Sequence, residues 1–179
     1  QLERDGIIRH SDSPWASPLH MVRKADGSWR PCGDYRRLNL VTVPDAYPLP
    51  NMMDFQSKIA GCKFFSVIDL RKGYHQIPMH PADVPKTAIT TPFGLWEYLR
   101  ATFGMRNVGC TFQQMMHRVL ADVEAAFPFV DDCLVGSPTW EQHLLDVRAV
   151  LERLQAAGLV LNGEKCVFAA HEVKFLGHH

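Results

Sequence analysis

Long apolar runs are missing from this chain. Nothing in it approaches the about 18 consecutive apolar residues of a membrane span, and the opening stretch QLERDG is polar, unlike a secretory leader. The expectation is a soluble, intracellular and cytoplasmic protein, not secreted, with no membrane partner. Cysteine is sparse and unpatterned: Cys32, Cys62, Cys110, Cys133 and Cys166 are odd in number, widely spaced and without a C-x-x-C pair. That excludes a disulfide framework and a zinc site as readings of the sequence. His75, His143 and His171 lack metal-ligand spacing to one another and are read as structural or solvated. Net charge is absent as well, 19 Lys and Arg balancing 19 Asp and Glu, so bulk basicity does not announce a polyanion partner. No internal repeat and no low-complexity tract is visible.

What is present suits one folded unit: 179 residues, 46% apolar, 10% aromatic and 21% charged. The first residue is Gln and the last residues, KFLGHH, stop in an apolar run, which reads as a piece of something longer. Charge is uneven along the chain. Arg23, Lys24, Arg30, Arg36 and Arg37 face Asp26 and Asp34, a local surplus of three (five minus two). The Asp26-Gly27 pair signals a hairpin that puts Arg23 and Lys24 on one arm and Arg30 on the other.

Residues 1–47, rich in Pro, Gly, Ser and Asp, predict short strands and loops, and residues 78–106 predict a second such set. Met52, Phe55 and Ile59 mark a short helix ending at Gly61, and KFFSVIDL is a strand that ends at or near Asp69. A helix face follows at Phe112, Met115, Val119 and Val123, and then a hairpin, FPFV and CLVG around an Asp pair. Thr139 with Gln142 forms a capping box, opening a helix whose stripe is Leu144, Val147, Leu151 and Leu154 and which stops at Gly158. VKFLGHH closes as a strand candidate. The order predicts an α+β fold, a sheet with helices on one face.

Taken alone, Asp131-Asp132 is most simply a solvated turn, and Asp69 is equally bland. The alternative is that the strand ending at Asp69 lies beside the hairpin tip, which would gather three mutually repelling carboxylates. Divalent cations relieve that repulsion, Mg²⁺ suits hard carboxylate oxygens, and two such ions suit phosphoryl transfer by a polymerase or a nuclease.

FFSVIDLRKGYHQI, TTPFGLWEYLRATFGMRNVGCTFQQMM, FVDDCLVGS, GLVLNGEKC and VKFLGH resemble, in order and spacing, the motifs of reverse transcriptases from gypsy-type long-terminal-repeat retroelements. SPWASPLHMVRKADGSWRPCGDYRRLN resembles the segment that precedes them. The resemblance implies a right-hand polymerase with fingers at about 1–47 and 77–107 and palm at about 48–76 and 108–179, the palm an antiparallel sheet backed by helices, the thumb absent. It implies RNA-directed DNA polymerase activity, nucleotidyl transfer to a primer 3′-hydroxyl, with Asp69, Asp131 and Asp132 binding two Mg²⁺ ions, Mn²⁺ serving as substitute. It assigns Lys24 and Arg30 to the triphosphate, Tyr74 to an aromatic gate at the sugar, and Phe103 and Gly104 to the incoming nucleotide. Gln113 is assigned to the template strand, Phe129 to the primer strand, and Phe175, Leu176, Gly177 and His178 to a primer grip. The implied partners are an RNA or DNA template with its primer, deoxynucleoside triphosphates, and the missing rest of a pol polyprotein (thumb, RNase H, integrase).

Departures from the family pattern are Phe129 for Tyr, Gly33 for a β-branched residue, Thr102 for Pro, and Gly109-Cys110 for Ala-Pro. Pro128 removes a backbone donor beside the Asp pair and predicts a distorted hairpin. Two alternatives stay open: a catalytically impaired or domesticated fragment that binds nucleic acid, and a two-metal phosphodiesterase, which Lys24 and Arg30 make the poorer fit.

Overall fold

A computed structural model describes residues 1–24 and 27–177, the side chains of residues 52–54 excepted. The chain divides into two compact units, Gln1–Asp45 with Tyr74–Gly109, and Ala46–Gly73 with Cys110–His179.

The first unit is built on five short strands: β1 (Ile8–His10), β2 (Ser17–Arg23), β3 (Trp29–Gly33), β5 (Ile89–Thr91) and β6 (Gly94–Tyr98), in the order β1-β6-β5-β2-β3. Pairing is antiparallel except between β2 and β5. Its core is Ile7, Tyr35, Leu38, Ile89 and Tyr98. The buried Tyr35 hydroxyl donates to the Thr87 carbonyl at 2.8 Å, so this ring carries both apolar and polar load. The Tyr35 ring also explains Gly33: a Cβ there would fall 2.4 Å from the ring carbon Cζ, so a β-branched residue and this Tyr35 conformation exclude each other. Besides the single 3₁₀ turn at Val84–Thr87, helix α1 (Arg36–Val41) went unforeseen among the expected strands and loops. Its six residues bury Leu38 and give no repeating stripe from which periodicity could be read.

The second unit holds an antiparallel sheet in the order β7-β8-β4-β9, from β4 (Phe64–Asp69), β7 (Ala126–Phe129), β8 (Asp132–Ser137) and β9 (Val167–Ala170), with helices α2 (Met52–Ile59), α3 (Val108–Val119) and α4 (Trp140–Ala156). Strand β8 is central and Cys133–Ser137 are all buried. The β7–β8 ladder runs unbroken from Ala126↔Val135 to Phe129↔Asp132, so the distortion expected from Pro128 does not occur. The reason is position: β7 lies at the edge of the strand order, where a proline costs no ladder bond.

Helix α4 begins at Thr139, whose hydroxyl accepts from the Gln142 amide at 3.2 Å, as expected of a cap. Its buried face differs from the expected stripe. His143, Val150 and Leu154 are buried, and Leu144 is 52% exposed. The polar His143 is a core residue because four hydrogen bonds in series satisfy it and its neighbours. The Ala169 amide donates to Ser66 Oγ (3.0 Å), and Ser66 Oγ lies 2.8 Å from His143 Nε2. His143 Nδ1 lies 3.0 Å from Ser137 Oγ, which donates to Asp146 Oδ2 (2.6 Å). Since Asp146 can only accept, Ser137 spends its proton there, Nδ1 carries the imidazole proton, and Nε2 accepts from Ser66. The series ties β4, β8 and β9 to α4. The closing strand also differs from expectation: it is Val167–Ala170, and within VKFLGHH the described residues form a single bridge residue, Phe175, before a turn.

Candidate active site

Strands β4 and β8 pair in register from Phe64↔Ser137 to Asp69↔Asp132. Directly opposed residues of an antiparallel pair point to the same face with Cβ atoms about 4.5–5.5 Å apart, so Asp69 and Asp132 confront each other at the sheet end. Asp131 sits in the two-residue reversal, Val130-Asp131, that closes the Phe129↔Asp132 pair. The end of β4 is anchored to both sides: the Leu70 amide donates to the Asp131 carbonyl (3.1 Å) and the Asn162 amide to the Asp69 carbonyl (2.9 Å).

The charges report the crowding. The Asp132 carboxyl is pushed up to about 6, first by burial and then by the charges of Asp131 and Asp69, with Lys165 pulling the other way. Lys165 Nζ stands 3.9 Å from Asp69 Oδ2. Gly73 gives Asp131 its room: a Cβ at Gly73, whose φ is +34°, would lie 2.9 Å from Asp131 Oδ2. Lys165 and Gly73 were missed in the sequence, although both lie in motifs quoted above, because a lone cation and a lone glycine carry no spacing signal.

The reversal itself is strained. Val130 has φ +53°, a left-handed conformation that costs a β-branched residue about 1–3 kcal/mol. Gln113 meets it from α3. Gln113, assigned by resemblance to the template strand, is fully buried, and its amide is committed within the protein. Its Oε1 accepts from the Val130 amide at 2.7 Å and its Nε2 donates to the Pro128 carbonyl at 2.8 Å. Gln113 follows Phe112 on the buried side of α3, a polar residue among apolar ones that the spacing of the helix face does not include.

Among the described residues no group of three or more His, Cys, Asp and Glu side chains is disposed to hold a metal ion. The carboxylates therefore do not form a closed all-protein cage. Their donor chemistry nonetheless fits Mg²⁺, which prefers hard oxygens and fills its shell with waters and substrate phosphates, and a cation would relieve the repulsion that lifts Asp132.

The remaining expected residues fall into two groups. In the first unit, the Arg30 guanidinium lies 4.3 Å from the Phe103 ring centroid, and the Tyr74 and Phe103 centroids are 4.9 Å apart. Gly104, at φ +89°, passes close to the Gly33 carbonyl, 3.1 Å from where its Cβ would be, and its own carbonyl accepts from Asn39. Lys24 is exposed where the β2–β3 hairpin turns, its amide donating to the Ser28 carbonyl at 2.8 Å; Asp26, expected in that turn, lies outside the described residues. In the second unit, Phe129, Phe175 and Leu176 line one cleft of about 650 Å³ together with Phe55 and Phe127. Phe175 is buried and stacks on Phe55, centroids 5.4 Å apart, and Leu176 (φ +49°) and Gly177 (φ +84°) turn the chain after it. His178 lies outside the described residues.

The family model described as reverse transcriptase (RNA-dependent DNA polymerase) matches residues 22–179. The chain belongs to the reverse transcriptase family. Among curated relatives, this reverse transcriptase chain is 40% identical over 185 residues to the retrovirus-related Pol polyprotein from transposon 297 of Drosophila melanogaster, covering 99% of this chain and 18% of that protein. It is 34% identical over 178 residues to the transposon Tf2-3 polyprotein of Schizosaccharomyces pombe, covering 98% of this chain and 13% of that protein. Among solved structures it is similar to the foamy viral protease-reverse transcriptase dRH in complex with double-stranded DNA, with a TM-score of 0.92 at 26% identity, covering 98% of this chain and 31% of that one. The foamy viral enzyme in complex with an RNA/DNA hybrid gives a TM-score of 0.90 at 25% identity, covering 98% of this chain and 24% of that one. The fold is thus the mixed α/β architecture, with antiparallel sheets, of the corresponding fingers and palm portion.

Proposed function

We propose that this chain is the fingers-and-palm portion of an RNA-directed DNA polymerase, which transfers a nucleotide to a primer 3′-hydroxyl. The observation that carries the reading is the in-register pairing of Asp69 with Asp132, beside Asp131, in a chain of this family. These three carboxylates would hold two Mg²⁺ ions, or Mn²⁺ in their place. Such a pair of ions, when bound, neutralises charge on attacking and leaving oxygens in an in-line displacement. The protein's own part is to hold the carboxylates on one sheet end and to offer cations and rings to the nucleotide. Lys24 and Arg30 would meet the triphosphate, Arg30 already oriented over Phe103. Tyr74, beside Phe103, would border the sugar. The partners would be a primed RNA or DNA template, deoxynucleoside triphosphates and the remainder of a retroelement polyprotein, in an intracellular setting. Solved neighbours in complex with double-stranded DNA and with an RNA/DNA hybrid support nucleic acid as the partner.

The test is extension of a DNA primer on an RNA template with Mg²⁺ and deoxynucleotides, by this chain and by a longer polyprotein segment containing it. Asp131→Asn is expected to reduce extension by about 10³-fold, the scale of removing a principal electrostatic group. Unchanged extension in that variant refutes the assignment. Binding without extension by the wild type supports a non-catalytic fragment, and primer shortening supports a phosphodiesterase.

A further inference from the structure

We propose that Gln113 is a positioning residue for the Asp131-Asp132 hairpin, an inference that rests on reading those carboxylates as the reactive ones. The carboxamide of Gln113 grips the chain on both sides of Phe129, taking the Val130 amide (2.7 Å) and giving a proton to the Pro128 carbonyl (2.8 Å). This is the pattern one residue makes with a parallel neighbouring strand, its N–H and C=O bonding to the residues before and after its partner. Gln113 therefore supplies β7 with a side-chain substitute for a further strand at the point where the hairpin reverses.

The orientation of the amide is locked by a third contact. Its Nε2 lies 2.8 Å from His117 Nε2, and His117 Nδ1 lies 2.7 Å from the Tyr47 hydroxyl. With both Nε2 protons directed at the Pro128 carbonyl and at His117, the oxygen must face the Val130 amide; a flipped carboxamide would set N–H against N–H.

The peptide that Gln113 holds joins Phe129 to Val130, the residue with φ +53° that immediately precedes Asp131. Asp131 has little slack on its far side, where Gly73 leaves 2.9 Å between a virtual Cβ and Oδ2 and where Leu70 donates to its carbonyl. Released from Gln113, the left-handed Val130 relaxes toward ordinary backbone angles, and Asp131 and Asp132 turn away from Asp69. Substrate-binding groups elsewhere are untouched, so the loss falls on kcat and spares KM for the deoxynucleotide.

The test is Gln113→Met, which keeps length and apolar bulk while removing all three hydrogen bonds. In the primer-extension assay, well below the melting temperature of both proteins, kcat is expected to fall at least tenfold with KM for the deoxynucleotide within twofold. Backbone hydrogen exchange at Val130, slow in the wild type, is expected to accelerate at least tenfold in the variant, a readout independent of activity. A folded Gln113→Met protein with wild-type kcat, or fast Val130 exchange in the folded wild type, overturns the proposal. If Gln113→Met does not fold, Gln113→Glu decides in its place, since it retains an acceptor for Val130 but loses the proton for Pro128: kcat lowered at least threefold supports the role, unchanged kcat refutes it. Asp131→Asn run alongside separates the two ideas. Full extension by that variant defeats the reading of the carboxylates, whereas loss there with none in the Gln113 variants defeats this proposal alone. Should the wild type itself not extend a primer, the exchange arm still decides whether Gln113 restrains the reversal.

Discussion

His143→Ala probes the buried series that joins α4 to the strands ending in Asp69 and beginning with Asp132. The substitution removes the bonds to Ser66 Oγ (2.8 Å) and Ser137 Oγ (3.0 Å) at a residue that is 1% exposed. Two lost hydrogen bonds at about 1 kcal/mol each, the stranded Ser66 hydroxyl at about 1 kcal/mol and a ring-sized void at about 1 kcal/mol sum to roughly 4 kcal/mol of lost stability. For a chain of this size that lowers Tm by roughly 10 °C. Ser66→Ala and the double variant complete a cycle read by urea denaturation, with an expected coupling of about 1 kcal/mol or more. Additive effects refute the relay, since the two side chains would then not depend on each other.

The same series has a pH signature. Burial lowers the pKa of His143 in the folded protein, with the Asp146 charge pulling it upward to a lesser extent. A base whose folded value is depressed contributes stability that is present above its unfolded value, about 6.5, and is lost as pH falls from there through the folded value. Protonation would place an N–H on Nε2 and leave the Ser66 hydroxyl proton without its acceptor. The stability difference between wild type and His143→Ala should therefore shrink on acidification below about pH 6.5. A difference independent of pH between 7.5 and about 5 contradicts a neutral His143 in the folded protein.

Asp132→Asn, expected to abolish extension, should raise Tm in metal-free buffer at pH 8, because Asp132 is pushed up to about 6 by burial and by its like-charged neighbours. A raised carboxyl contributes stability below its unfolded value, about 3.9, and loses it as pH rises through the folded one, so the advantage of Asn vanishes near pH 4, and Mg²⁺ should raise Tm of the wild type more than of the variant. Gly33→Val should destabilise by about 3 kcal/mol, since its Cβ would meet the Tyr35 ring at 2.4 Å and Tyr35 is locked to Thr87 in the core; a calorimetric Tm within 2 °C of wild type would count against that packing.

Much of the second unit was legible from short-range pattern. KFFSVIDL is a β-branched and aromatic run, and its strand ends on Asp69 as read; Thr139 caps its helix as read; the Asp pair lies at a hairpin. Each of these depends on a few neighbouring residues. Local pattern did not disclose the polar contacts of core residues. His143 is structural, one of the two readings open in the sequence, and both it and Gln113 are buried because partners far along the chain satisfy their polar atoms: Ser66 lies 77 residues from His143, and Val130 lies 17 from Gln113. Pro128 misled, since its harmlessness depends on edge placement in a strand order that local pattern does not disclose.

By itself the order of residues determined the family and named the three carboxylates, because motif residues and their spacing are properties of the covalent chain. Tertiary structure decided that Asp132 is the residue set opposite Asp69, that Gly73 and Lys165 border the carboxylates, and that Gln113 holds the reversal before Asp131. The physical reason is register. A β-ladder joins residues more than sixty positions apart through hydrogen bonds that every peptide can make, so the choice among equivalent pairings lies in the packing of the whole sheet.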